Sequence, residues 1–337
     1  MTTEQGPVRA PEFPPNATWL QGGPLRMSEL RGRVVLIDFW DYTCVNCIRT
    51  LPYVKAWHER YADKGLTIVG VHAPEFSFAR DVDNVRRAIE RFGIAYPVVV
   101  DNDFALWKAY ANRYWPAKYL VDKEGYLRFY HHGEGAYDEV ERAIQSLLRD
   151  ANPSVELPDL MEPVRPEDRP GAVCYRVTPE LYLGYQRGAI GNTSDVAPDR
   201  PSRYHDVGKH AEGFFYLDGE WLLAGEYLSR PFGASGPSRL HVRYLAKDVN
   251  LVAHPPVTGG PARIEVLQDG RPLPAEDAGD DVRREGEAAV LVVDEPRMYQ
   301  VVRNREIDHH ELTLVTQSEG VALYAFTFTT CVAREEG

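Results

Sequence analysis

Apolar and polar positions follow two different rhythms along this chain, and the change falls close to residue 171. In the first stretch, Val34-Val35-Leu36-Ile37 and Leu66-Thr67-Ile68-Val69-Gly70-Val71 are near-continuous apolar runs, the pattern of strands buried on both faces. Between them Ile48, Leu51, Val54, Trp57 and Tyr61 recur at helical spacing. Phe78, Val82, Val85, Ile89 and Phe92 step by four and three residues and predict a helix after the second strand. Pro97-Val98-Val99-Val100 starts another strand, and Tyr119-Leu120-Val121 with Leu127-Arg128-Phe129 predicts a hairpin around Glu124-Gly125. Val140, Ile144, Leu147 and Leu148 line a closing helix. Alternating strands and helices over 18–150 predict a central sheet with helices on both faces.

Residues 1–17 are Pro-rich and read as a flexible tail. Over 151–171, Pro153, Pro158, Pro163, Pro166 and Pro170 interrupt any helix, so this stretch reads as an extended linker. Over 172–337 the rhythm turns to short apolar-aromatic runs separated by turns. Phe214-Phe215-Tyr216-Leu217, Asp218-Gly219 and Trp221-Leu222-Leu223 form one unit of that pattern, and Leu240 to Tyr244 alternates strictly. Ile264 to Leu267, Leu312 to Val315 and Val321 to Phe326 complete a set of strands that predicts a β-sandwich.

The chain's 337 residues suffice for two domains, each with its own core. A net charge of −12 argues against nucleic acid or an anionic membrane as partner. No apolar stretch reaches membrane-span length. The start, Met1 to Pro7, has neither the basic nor the apolar part of a secretory signal, and only four cysteines are present. The expectation is a cytoplasmic location, with an extracytoplasmic fragment as the alternative.

The chemistry concentrates in Cys44 and Cys47, at the junction of a buried strand and an amphipathic helix. The first sulfur falls at a helix N-terminus, where free N–H groups and the macrodipole favour thiolate, the species that attacks disulfides. The second lies one turn along, within reach of ring closure. A zinc site would need a second ligand pair, and Cys174 and Cys331 are single and far apart in sequence. A purely structural disulfide is the plainer alternative, at a place where it would be easily reduced. A peroxidase site would carry threonine three places before the reactive cysteine, where Asp41 and Cys44 stand instead.

Asp38-Phe39-Trp40 followed by Cys44-Val45-Asn46-Cys47, with Pro52 five places later, resembles thioredoxin. Trp115-Pro116-Ala117-Lys118-Tyr119-Leu120-Val121-Asp122 resembles the cis-proline segment of TlpA-type redoxins. Tyr42-Thr43-Cys44, Gly70 to Phe76 and Asn112 to Pro116 are similar to the soluble C-terminal portion of DipZ-type proteins. That likeness extends more loosely into Thr178 to Gly184 and Ala246 to Val249. The resemblance implies an α/β thioredoxin fold followed by an all-β jelly-roll sandwich like a carbohydrate-binding module. It implies thiol–disulfide exchange, acting as a reductant on disulfide-bearing proteins and recharged by an unidentified dithiol donor. The cofactor expectation is none beyond the Cys44–Cys47 disulfide itself.

In that scheme Cys44 attacks, Cys47 resolves, and a buried Asp38 exchanges the Cys47 proton. Pro116, in cis, and the Trp115 backbone would face the sulfurs and pair with an extended substrate. Trp40 would shield the sulfurs or simply fill the core, and Glu75 would supply a second carboxylate or simply lie on the surface. Val45-Asn46 departs from the Gly-Pro of thioredoxin, and Thr50 stands where TlpA-type redoxins often carry glutamate.

In the second domain, Tyr182, Tyr185, Tyr204, Tyr216, Trp221 and Tyr227 are candidate sugar-stacking rings, though core burial is the commoner fate. The loop from Gly188 to Gly208 is a candidate binding loop for a glycan or protein ligand, or a long connection. His131-His132 and His309-His310 read as solvent-facing, and no metal set is expected. Cys174 and Cys331 lie near the first and last strands of this domain and would meet if those strands pair, but free buried thiols are the default expectation. Against the oxidoreductase stands one alternative, a glycan- or protein-binding protein whose redoxin half is an accessory scaffold.

Overall fold

The computed structural model describes residues 7–169, 172–192, 194, 196–329, 331 and 332. The chain divides into two units, one running to Arg169 and one beginning at residue 170. Among the described residues no helix is long and apolar enough to cross a membrane.

The first unit runs β1 (Thr18–Gln21), β2 (Val34–Trp40), α1 (Val45–Tyr61), β3 (Leu66–His72), α2 (Val82–Phe92), β4 (Val98–Val100), α3 (Ala105–Ala109), β5 (Ala117–Val121), β6 (Leu127–His132) and α4 (Tyr137–Ala151). Its six strands make one mixed sheet in the order β1-β4-β3-β2-β5-β6, with β2, β3 and β4 parallel and β5 antiparallel to β2. The alternation of β2 sends Leu36 and Trp40 into the core beneath α1 and α4, and Val35, Ile37 and Phe39 to the opposite face with Leu106 of α3. Asp38 shares the parity of Leu36 and Trp40, so this carboxylate is carried to the α1 face. α2, predicted from its apolar spacing, puts Val85 and Ile89 into that same core.

Both flanking segments are more ordered than the composition suggests. Residues 1–6 lie outside the described residues, but Phe13 is buried, Ala10 N–H donates to the Gly125 carbonyl, and Leu127 N–H donates to Val8. The tail expectation is therefore corrected from Val8 onward: an aromatic side chain and strand-like hydrogen bonds outweigh the prolines. The Pro-rich stretch after α4 holds no regular element before the short 3-10 turn Pro166–Asp168, yet it is strapped to the first unit. Val155, Leu157 and Met161 pack on its core, Glu141 accepts the Met161 N–H, and Tyr53 donates to Asp168.

The second unit is all-β. Among the described residues, 11 of its strands join one hydrogen-bonded sheet around an apolar core, and two of them, Ser238–His254 and Arg297–Thr316, are far longer than alternation alone suggests. Ser238–His254 pairs with Phe215–Leu223 through its first half and with Ala322–Thr329 through its second. The short strand Leu228–Ser229 joins those two partners, so the sheet folds back on itself. A register shift between Ala246 and Asp248 marks the bend.

Of the proposed sugar-stacking rings, Tyr204, Tyr216 and Trp221 are buried. Tyr185 is exposed, and the Arg187 guanidinium lies over Tyr182. The Gly188 to Gly208 stretch contains the strand Pro201–Tyr204 and a bridge from Ile190 to Phe215. His309 and His132 are exposed as expected, although His132 also bonds the Tyr119 hydroxyl at 3.2 Å, whereas His310 is half-buried and bonds Asp269 at 2.7 Å. The free-thiol expectation for Cys174 is corrected: Cys174 is exposed and disulfide-bonded. Strand Val173–Cys174 pairs antiparallel with Cys331–Val332, which sets Cys331 directly opposite Cys174 at a backbone spacing a disulfide accepts.

Candidate redox site

β2 ends at Trp40, and the chain turns through Asp41-Tyr42-Thr43 into α1 with Cys44 as its N-cap. Extended backbone at Cys44 (φ −81°, ψ 113°) lets its Sγ accept the Cys47 N–H at 3.2 Å, the bond a serine or aspartate cap would make. Both cysteines are free thiols, Cys44 half-buried and Cys47 1% exposed. Burial pushes the Cys47 thiol well above its ordinary range, and the adjoining Cys44 sulfur adds to that rise. One thiol thus meets solvent while the other keeps its proton in the core.

Asp38 is 1% exposed and shares with Cys47 the neighbours Lys118 and Tyr96. Burial pushes its carboxyl up to about 6, and the Lys118 ammonium limits the rise. Lys118 carries no recognisable role in the sequence, and its place follows from register. In the β2–β5 ladder Asp38 stands directly opposite Lys118, so the two side chains share a face and meet at 3.9 Å. Lys118 is fully buried, and neither its Nζ nor Asp38 Oδ1 has a hydrogen-bond partner among the described residues. Burial pushes the Lys118 amine below the usual lysine range, resisted by Asp38 and then by Cys47 and Cys44. On the other side of Asp38 the β3 partner is Gly70. A Cβ there would come within 3.0 Å of the Tyr96 ring and 3.1 Å of Trp40 Nε1, so a larger residue would press on both rings.

A second buried carboxylate, Asp41, organises the cysteine loop. Its Oδ1 accepts the Thr43 N–H at 2.7 Å and the Thr43 hydroxyl at 2.9 Å, while Oδ2 accepts the Glu75 N–H at 2.6 Å. Glu75 therefore reaches the site through its backbone, with its side chain half-buried. His72, pushed by burial down to about 3 and hence neutral, stacks on Tyr42 at 5.5 Å and meets Trp40 edge-on at 5.3 Å.

Trp40 is 1% exposed and belongs to the same core as Cys47, so it walls the site as a core residue. The Trp115–Pro116 bond is cis. Trp115 Nε1 donates to the Ala73 carbonyl at 2.9 Å, and its ring lies 4.2 Å from Trp107. Phe39 pairs with Ala117, so continuing the register carries Pro116 opposite Trp40, at the strand end from which the cysteine loop departs. Arg49 was also unforeseen: one turn into α1, it holds Glu134 through two 2.9 Å bonds.

With this geometry in view, the comparisons with known proteins are informative. Residues 8–130 match the AhpC/TSA family, and residues 178–329 match a family described as thioredoxin like C-terminal domain. Protein DipZ of Mycobacterium bovis is 34% identical over 323 residues, 95% of this chain. The chain spans 42% of the length of that relative. Thiol-disulfide oxidoreductase YkuV of Bacillus subtilis is 31% identical over 138 residues, 41% of this chain and 93% of YkuV. Among solved structures, a thioredoxin-like protein in the oxidised form is 30% identical, with a TM-score of 0.40, over 43% of this chain and 97% of that one.

Proposed function

Because the chain belongs to the thioredoxin-like thiol–disulfide oxidoreductases, we propose that it reduces disulfides in partner proteins through Cys44 and Cys47, with Asp38 as proton carrier and no cofactor beyond the pair. Cys44 thiolate attacks one sulfur of the partner disulfide, forming a mixed disulfide and releasing the first partner thiolate. Cys47 gives its proton to Asp38, directly or through one water, and attacks Cys44 Sγ. The Cys44–Cys47 bond forms and the second partner thiolate leaves. Two electrons have then passed to the partner, whose two thiolates take one proton from Asp38 and one from solvent, and a dithiol donor must restore the pair.

The observation that carries this reading is a buried, protonated Cys47 and a buried carboxyl, titrating near neutrality, that share Lys118 and Tyr96 as neighbours. A base of that strength accepts a thiol proton and returns it within the working pH range. The same burial favours the reducing direction. Strong oxidants of this kind stabilise their reduced form, and burying Cys47 withholds thiolate stabilisation from half of the pair. The disulfide at Cys174 supports an oxidising compartment over the cytoplasm.

The reading is tested by titrating the pair against dithiothreitol and glutathione buffers and by assaying Cys44→Ser. A potential near about −270 mV supports a reductant, and one near about −120 mV makes the protein an oxidant. Turnover of a disulfide substrate should fall to background in Cys44→Ser, and full turnover there would overturn the reading.

A further inference from the structure

A second cluster of chemically capable side chains lies in the all-β unit, on the polar face of its sheet. His241 and Glu311 stand on the paired strands Ser238–His254 and Arg297–Thr316, where Arg243 is opposite Glu311 and His241 opposite Thr313. Residues 241, 243, 311 and 313 therefore project to one face, while Val242 and Leu312 project to the core. The loop after Pro201–Tyr204 folds over this face, held by Ala211 N–H donating to the Tyr216 hydroxyl at 2.9 Å. It delivers His210, whose side chain is 5% exposed and whose ring lies 4.9 Å from that of His241. One ligand atom from each of His210, His241 and Glu311 falls within 4.8 Å of the other two.

From this geometry we infer a zinc site built by His210, His241 and Glu311. Two imidazoles and one carboxylate suit Zn2+ better than the all-oxygen cations Ca2+ and Mg2+. The surroundings supply the outer partners that zinc-binding histidines use. His210 Nδ1 lies 2.9 Å from Glu311 Oε2, and its other nitrogen, Nε2, bonds Asp206 Oδ1 at 2.8 Å. His241 Nδ1 bonds Thr313 Oγ1 at 3.0 Å, and in the tautomer where Nδ1 donates, Nε2 offers its lone pair to the ion. On His210, Asp206 holds Nε2, and the ion would replace the hydrogen bond between Nδ1 and Glu311. With neutral imidazoles, Asp206 and Glu311 give the cluster two negative charges, which Zn2+ cancels. Three protein ligands leave a fourth position for water or an added ligand. The competing arrangement is a metal-free triad in which protonated His210 bridges Asp206 and Glu311. The sequence alone predicts no metal, and this site is independent of the redox pair.

The test uses the full chain with Cys44 and Cys47 oxidised, so that no thiolate competes, stripped with EDTA and desalted. Zn2+ retained after gel filtration is measured by elemental analysis, Zn2+ affinity by calorimetry, and Co2+ uptake by its visible absorption. One Zn2+ per chain is expected, with affinity lowered at least 10-fold in Glu311→Gln and in His241→Asn, and roughly 10-fold in Thr313→Val. Near-UV circular dichroism of the stripped variants checks that each is folded, and Thr313→Val, which removes no ligand, keeps the test usable where a ligand variant unfolds. No retained Zn2+, or equal affinity in wild type and the folded variants, overturns the site and leaves the hydrogen-bonded triad.

Discussion

Each unit holds a buried polar cluster, and the two clusters differ in how far they are hydrogen-bonded. In the all-β unit, Tyr244 donates to Gln268 at 2.8 Å, Gln268 to Asn304 at 3.1 Å, and Asn304 back to Tyr244 at 3.2 Å. Asn192 likewise donates to the His205 and Leu217 carbonyls and accepts the Leu217 N–H. In the redox unit, Asp38 Oδ1, Lys118 Nζ, Trp40 Nε1 and Tyr96 OH have no hydrogen-bond partner among the described residues. A satisfied buried network specifies one packing arrangement. An unsatisfied one is tolerated where the unspent capacity serves chemistry, here a proton held between a carboxyl, an amine and a thiol.

The sharpest way to break this contrast is Asp38→Asn. If the carboxyl carries the Cys47 proton, resolution of the mixed disulfide should slow on the order of 10²-fold at pH 7, read by quenched-flow trapping. The fold should gain stability at the same pH. A carboxyl raised in the folded state stabilises most below its unfolded value near 3.8, and that contribution is lost as pH climbs through about 6. The ionised form then costs at most about 3 kcal/mol, since each tenfold weakening of the acid corresponds to about 1.36 kcal/mol. The gain in Asp38→Asn should accordingly be present at pH 7 and absent at pH 3, by urea denaturation. A slower variant that is also destabilised at pH 7 would make Asp38 a structural residue.

Lys118→Met sharpens the contrast further. Without the ammonium, Asp38 should titrate about 1–2 pH units higher, moving the midpoint of the resolution rate upward by the same interval. An unchanged pH profile would make Lys118 a bystander. The smallest effect is expected in the other unit. Asn304→Leu leaves Tyr244 and Gln268 each short of a partner, costing about 1–3 kcal/mol by urea denaturation without altering any redox rate.

What the sequence showed and what it hid follow the distances over which each feature is specified. Cys44, Cys47 and Asp38 lie within one strand–turn–helix, so the redox chemistry of the pair was legible in its spacing, while the role of Asp38 came with the resemblance to thioredoxin. Lys118 stood in view as a letter of the Trp-Pro-Ala-Lys segment, but its meaning depends on which β2 residue it faces, and register is not written in either strand. The long strands were seen only in part. Leu240 to Tyr244 and Leu312 to Val315 alternate cleanly, whereas Asp308 to Glu311 is polar and is held in the ladder by backbone bonds that need no apolar side chain. His210, His241 and Glu311 come from three distant places, and only the folded sheet assembles them.

The Asp41 carboxylate joins two loops that are 34 residues apart in the chain. Amide hydrogen exchange at Glu75 therefore reports on a loop to which it does not belong: its proton is released only when Asp41 lets go and the turn before Cys44 opens. In Asp41→Ala that amide should exchange at the rate of an open loop, while amides in the middle of β2 keep their protection. The moving part of this redox centre would then be a single hinged flap spanning both loops, with a clock readable at one backbone nitrogen.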